Sequence, residues 1–285
     1  MRRHPILQPT RLIPLAFFIV SLIGTGLLAL PIATTEAGGA PLLTALFTAV
    51  SAVCVTGLIV QDTAVYWSFF GQAVILGLFQ IGGLGIMSGA TLLGLVVRKH
   101  LQLSSRLVAQ EETHSLGLGD VGGILKLVVL MTLAVELTLT VLLSVHLHLT
   151  YDEPWRSALW NGLFHAVSAF NNAGFSTYSD NLVRFASDPL VLLPIMLALI
   201  IGGLGFPVLY ELRPSQRHRP RTIHFKITLW GTAILLAGGT LAILAYEWNN
   251  PLTMGAQSWG EKLLSALFHS ATARTAGFNT LDVGE

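Results

Sequence analysis

The stretch Ala45-Leu-Phe-Thr-Ala-Val-Ser-Ala-Val53 returns as Gly162-Leu-Phe-His-Ala-Val-Ser-Ala-Phe170, identical at six of nine positions. A third copy, Ala266-Leu-Phe-His-Ser-Ala-Thr-Ala273, keeps the Leu-Phe pair and the last alanine. Each copy runs into a glycine, through Thr56-Gly57-Leu58, Ala173-Gly174-Phe175 and Ala276-Gly277-Phe278. The apolar runs that hold these copies are short, near 41–52, 157–169 and 261–272. At about 1.5 Å per residue they reach only halfway through a hydrocarbon core of roughly 30 Å. Their length assigns them as re-entrant or interfacial helices.

Outward from the repeat lie five longer apolar runs, at 12–31, 68–97, 121–149, 188–210 and 223–246, each long enough to span. The chain has 285 residues, 53% of them hydrophobic and only 11% charged. A soluble domain carries about 25% charged residues. Because the deficit runs along the whole chain, the composition describes an all-α polytopic membrane protein. The N-terminus imitates a secretory signal, with Arg2, Arg3 and Arg11 ahead of an apolar run. Leu12 to Leu30 is nevertheless long enough to span, and no small-residue cleavage pattern follows it. One cysteine, Cys54, excludes a disulfide framework and a CxxC site within one chain.

Basic residues orient the spans. Twelve of the 16 lie in three regions: Arg2, Arg3 and Arg11; Arg98, Lys99, Arg106 and Lys126; and Arg213, Arg217, Arg219, Arg221 and Lys226. Five spans place all three regions on one side, which the positive-inside rule makes cytoplasmic together with the N-terminus. The run Arg213 to Lys226 is a topology determinant, or a contact for anionic lipid or a regulatory partner. The short helices then dip in from outside, flanked by the acids Glu36, Asp62, Asp152, Glu153, Asp180, Asp188, Glu247 and Glu261.

Each unit therefore reads as a span, a short helix, a loop and a second span. The first covers 1–107 and the second 108–222. Residues 223–285 form a partial third, with a first helix, a pore helix and a filter. Ile81-Gly-Gly-Leu-Gly85 and Ile201-Gly-Gly-Leu-Gly205 repeat within the second spans, and their glycines are read as close packing positions.

Extended backbone at membrane depth is tolerated only where protein buries it or where it lines a water-filled cavity. Three returning loops therefore imply a central pore. The loops are Val53-Cys54-Val55-Thr56-Gly57, Phe170-Asn171-Asn172-Ala173-Gly174 and Ala273-Arg274-Thr275-Ala276-Gly277. They carry no acidic side chain, so a cation held there must be held by carbonyl oxygens, which replace a hydration shell when arranged in rings. Glycine reaches backbone conformations closed to other residues and turns successive carbonyls toward one axis. The short helices would aim their partially negative C-terminal ends at the same cavity.

With Ser51-Ala-Val-Cys-Val-Thr-Gly57, Gln80-Ile-Gly-Gly-Leu-Gly85, Phe170-Asn-Asn-Ala-Gly174-Phe and Arg274-Thr-Ala-Gly277-Phe-Asn-Thr280, the sequence resembles the Trk/Ktr/HKT superfamily of K+ transporters. It is most similar to the bacterial Ktr-type pore subunits, because the first span begins without the two extra leading helices of Trk-type members. The resemblance implies four helix–pore-loop–helix units around one pore, of which about two and a half are present here. It implies K+ bound only at the filter carbonyls of the fifteen loop residues above, with a glycine at position 57 favouring K+ over Na+. It further implies uptake with possible Na+ coupling, a homodimer in the bacterial cell membrane and a cytoplasmic nucleotide-binding regulatory ring of RCK type. No cofactor and no nucleic-acid partner are expected. The fourth unit, a gating loop and a pore-lining arginine of the family would lie beyond residue 285, so a fragment or a truncated product is the expectation. A non-conducting structural or regulatory role and a Na+-permeable homologue stay open as alternatives.

Among single residues, Glu136 sits mid-span, where a charge is costly and a functional role is the default. Against this stands a packed, protonated glutamate bonded to a neighbouring helix, and the resemblance places its span on the periphery. His165 and His269 occupy equivalent places in two short helices, with Thr48 in the first; a hydrogen bond behind the filter is expected rather than a metal site. Arg274 should point away from the pore, toward filter carbonyls or an acidic partner, since its charge cannot be lost. Cys54 contributes its carbonyl. The sequence holds no GxSxG, no HExxH and no paired intramembrane aspartates, so no enzyme is expected.

Overall fold

The computed structural model describes residues 9–85, 121–212 and 220–281. They are helical, and among them the one bridge of β type joins Thr34 to Trp67. The helices are α1 (Pro9–Leu28), α2 (Leu42–Val53), α4 (Val121–Tyr151), α5 (Trp155–Phe170), α6 (Pro189–Leu204), α7 (Phe206–Glu211), α8 (Ile223–Glu247) and α9 (Trp259–Thr272). Phe69–Gly85 forms α3. Residues 86–97, which the sequence reading adds to this second span, lie outside the described residues, as does most of the basic run from Arg213.

Local chemistry sets where the helices begin. Pro41 and Pro154 sit at the N-caps of α2 and α5, where the missing N–H costs nothing. The third short helix starts differently: Ser258 and Glu261 close a capping box ahead of α9. Asp188 accepts the Leu190 N–H at the start of α6, and Thr222 accepts the Phe225 N–H at the start of α8.

Each long helix lies against the short helix that follows it, α1 on α2, α4 on α5 and α8 on α9, while α6 packs on both α5 and α9. One apolar core joins Leu139, Leu143, Ile195 and Leu199 to Phe268 and Phe278, and a second joins Leu28, Ala49, Ile75 and Phe79 to Phe164 and Phe175. The aromatic after each of two loop glycines thus plugs the core of the preceding unit: Phe175 into the first, Phe278 into the second. Leu58, at the same place in the first loop, is 62% exposed. Ile227, Trp230, Ile234 and Leu241 of α8 also face outward, as expected of a helix whose surroundings are lipid.

The span expected over 188–210 is not continuous. Gly205 adopts φ 78° and ψ 156°, a region essentially reserved for glycine, and splits it into α6 and α7. Among the described residues nothing packs tightly on Gly205, so the close-packing reading of this glycine is corrected: it is a break.

Where α4 ends and α6 begins, Asp188 also accepts from His146 Nε2 (2.6 Å) and from the Tyr151 hydroxyl (2.8 Å), tying the two helices together.

Candidate ion pathway

The first two loops have one local design. Ser51 and Ser168 carbonyls accept the N–H five residues on, from Thr56 (2.9 Å) and Ala173 (2.7 Å). Their hydroxyls donate past the glycine to the carbonyls of Leu58 (2.7 Å) and Phe175 (2.8 Å). Between these ties Val55 and Asn172 are held at φ 56° and 59°. For a β-branched valine this is a strained conformation, kept only because the surrounding bonds over-determine it. The third loop is one residue tighter. Thr272 takes the serine's place, and its carbonyl accepts from Gly277 itself at 3.1 Å. The three glycines nonetheless share one geometry, φ 73°, 73° and 75° at Gly57, Gly174 and Gly277.

The loops meet. A Cβ built on Gly174 would run into the Ala276 carbonyl oxygen, and one on Gly57 would overlap the Ala173 carbonyl and lie 3.1 Å from that of Ala276. The spans close in behind by the same device: a Cβ on Gly82 would strike the Val53 carbonyl, and one on Gly202 the Phe170 carbonyl. These glycines do mark close packing, though against the ends of short helices rather than against another span.

The fifteen loop residues are not equivalently placed. Phe170, Asn171, Asn172, Ala173 and Gly174 are all buried. In the first loop Val53 is buried, while Cys54 and Thr56 are exposed and Val55 and Gly57 lie between. In the third, Ala276 is buried, Arg274 is half-buried, and Ala273, Thr275 and Gly277 are exposed. The central loop is flanked on both sides; the outer two each keep a free flank among the described residues.

His165 is bonded through Nδ1 to the Asn161 carbonyl (2.7 Å) and through Nε2 to Ser176 Oγ (2.9 Å). His269 Nε2 accepts the Thr280 N–H at 3.2 Å. Both imidazoles therefore tie a short helix to the segment that follows its glycine loop, as expected. Arg274 does turn back from the loop, but neither to a carbonyl nor to an acid: its Nη2 donates to Thr232 Oγ1 on α8 at 3.3 Å. Loop three turns one residue early and leaves this side chain beside α8.

Glu136 is 4% exposed on a span whose other face is open, and is bonded to the second loop and to α3: Asn171 Nδ2 donates to Glu136 Oε1 (3.1 Å) and to Gln80 Oε1 (2.7 Å). Gln80 Nε2 donates in turn to Glu136 Oε2 at 3.1 Å. On the other side, with the Asn172 amide oriented to suit its neighbours, its nitrogen donates to Leu199 O (3.1 Å) and Thr275 Oγ1 (2.6 Å), and its oxygen accepts from the Gly203 N–H (3.2 Å). Sequence reasoning missed these side-chain roles for Gln80, Asn171 and Asn172. The available signal was a mid-span amide and a mid-span carboxyl, Gln80 and Glu136, in predominantly apolar runs.

The described residues thus form an all-helical polytopic membrane fold with repeated short helices and convergent glycine loops. The chain belongs to the TrkH family of cation transport proteins, whose model matches residues 8–285. It is 42% identical to the Ktr system potassium uptake protein B of Bacillus subtilis over 97% of this chain and 61% of that protein. It is 36% identical to the potassium/sodium uptake protein NtpJ of Enterococcus hirae, over 97% of this chain and 60% of that one. Identity to the Ktr system potassium uptake protein B of Vibrio alginolyticus is 37%, over 96% and 60%. The chain thus spans about three fifths of the length of these relatives.

Proposed function

We propose that this chain lines a K+ uptake pathway in which the ion is held by backbone carbonyls of Val53–Gly57, Phe170–Gly174 and Ala273–Gly277. The observation that carries the reading is that the left-handed Gly57 and Gly174 lie against the carbonyls of Ala173 and Ala276, each the residue before the glycine of another loop. A carbonyl site discriminates by matching the hydration shell that the ion loses, and needs no fixed carboxylate. The C-terminal ends of α2, α5 and α9 run into the loops and add partial negative charge where the cation rests. The names of the relatives, potassium uptake and potassium/sodium uptake, support the class of ion. The second of those names is also what supports the reading of a Na+-permeable or Na+-coupled member.

The units at 1–107, 108–222 and 223–285 are read as successive staves around the pore. The flank left free by Leu58 and Gly277 is where a further loop would complete the ring. A homodimer in the bacterial cell membrane and a separate nucleotide-binding cytoplasmic ring belong to the same reading, the latter supported by the word "system" in the relatives' names.

The test is flux of Rb+ and Na+ into liposomes holding the full-length protein, with Rb+ standing in for K+. Uptake of Rb+ at least tenfold faster than Na+ is expected; equal rates would overturn K+ preference in favour of the Na+-permeable reading, and no flux would favour a structural role.

Orientation is proposed with the N-terminus cytoplasmic. In a Cys54→Ser background, needed because Cys54 is exposed, Asp180→Cys should react with an impermeant maleimide added to intact cells. Arg221→Cys should react only after permeabilisation. Labelling of position 221 from outside would reverse the topology.

A further inference from the structure

We propose that Glu136 is a positioning residue for the pore, setting the second filter loop through Gln80 and Asn171; the proposal rests on the filter reading above. Three observations converge on it. The carboxylate is buried inside the membrane core, where a charged or protonated acid is expensive unless function or a partner retains it. Its two oxygens accept from two amides, Asn171 of the loop and Gln80 of α3, which are also bonded to each other. The three groups form a closed triangle joining α3 of the first unit, α4 of the second and the filter between them. Gly83, one turn along α3 from Gln80, lies so close to the Asn171 amide that a Cβ would overlap Oδ1, so the span is shaped to receive this side chain.

One of the two Asn171 amide hydrogens is shared with the Val167 carbonyl of its own short helix, 2.9 Å from Nδ2. A pull on its amide is therefore transmitted to the C-terminal turn of α5, the residues that lead directly into Asn172, Ala173 and Gly174. The adjacent Asn172 is bonded to Thr275 of the third loop and to Leu199 and Gly203 of α6. The second loop is thus held from the first unit by Gln80, from its own unit by Glu136, and from the third by Thr275. Spacing between carbonyls of different loops is what a carbonyl site uses to rank ions. Loosening the Glu136 side should let the loop relax and weaken that ranking, while the ions still pass.

The geometry offers a test that a purely structural role would not pass in the same way. Glu136→Gln replaces one accepting oxygen by a donor that faces the amide of Gln80 or Asn171. Gln80→Glu sets two carboxylates side by side. The double variant Gln80→Glu/Glu136→Gln exchanges the two groups and restores every hydrogen bond of the triangle with the roles reversed. Measured in liposomes as the Rb+/Na+ flux ratio, with protein quantified in the membrane, each single variant should lower the ratio about five- to tenfold. The double variant should return it to within about twofold of the native value, the non-additivity expected of directly coupled groups. Gln80→Leu, which removes one link and introduces no charge, should lower the ratio less and keep normal abundance. It keeps the test open if a single variant fails to accumulate. Native ratios in Glu136→Gln and Gln80→Leu would overturn the proposal. So would a double variant that recovers abundance but not the ratio, since that assigns the triangle to folding alone. A Gly174→Ser variant measured alongside separates the two layers: if it too leaves the ratio unchanged, the filter reading fails, whereas a changed ratio there with native Glu136→Gln sinks only the positioning role.

Discussion

Gly174→Ser is expected to abolish selective K+ uptake while the protein still reaches the membrane. The position combines two costs. At φ 73° any side chain is forced into the left-handed region, a cost of roughly 1–2 kcal/mol. The added Cβ would also run into the Ala276 carbonyl oxygen, a backbone atom that cannot swing aside as a flexible side chain would. Relief requires loops two and three to separate, which widens the site the ion must fill. Since about 1.4 kcal/mol is a factor of ten, Rb+ uptake should fall at least tenfold, and further once the overlap is added. Gly57→Ser should act in the same direction, because its Cβ would overlap the Ala173 carbonyl. Gly277 is informative for the opposite reason, as nothing described lies within 4 Å of its Cβ position. If Gly277→Ser is as damaging as Gly174→Ser in the full-length protein, another element occupies that flank. Native Rb+ uptake and native Na+ exclusion in Gly174→Ser would refute the carbonyl site.

Gly202→Val should strike assembly rather than selectivity. A Cβ here would overlap the Phe170 carbonyl at the C-terminal end of α5, and both partners are backbone in packed helices. Overpacking of this sort costs typically 1–3 kcal/mol, and the upper end applies when no side chain can give way. The expected result is a large drop in membrane abundance and a lower thermal midpoint in detergent. Gly82→Val, which meets the Val53 carbonyl in the same manner, should repeat it. The control is Gly238→Val on α8, where no described residue lies within 4 Å of the Cβ position and the midpoint should barely move. Equal tolerance at positions 202 and 238 would show that the span does not pack on the short helix as described.

The helix boundaries were closely legible in the residues. The short helices expected near 41–52, 157–169 and 261–272 are Leu42–Val53, Trp155–Phe170 and Trp259–Thr272, and the spans at 121–149 and 223–246 are Val121–Tyr151 and Ile223–Glu247. Length against bilayer thickness and the punctuation of Pro41, Pro154 and Ser258 are local signals, readable without knowing any neighbour. The break at Gly205 was not legible, since glycine within an apolar run permits a packed helix and a bend alike, and only the observed φ decides between them. The partner of Arg274 was missed because the third loop turns one residue sooner than the other two, a difference in register rather than in residue type.

Glu136 marks the limit most clearly. Its place in an apolar run made it conspicuous, yet nothing near it in the chain says what it touches. Its partners lie 35 and 56 residues away, brought together by the packing of α3, α4 and the second loop. What the sequence by itself determined is what depends on local composition: a helical membrane chain, its repeat, its three glycine loops and the family to which it belongs. Only the tertiary structure decided which backbone carbonyl each glycine admits, and which amides hold the central loop. Those are distances between segments remote in the chain, and no local propensity encodes them.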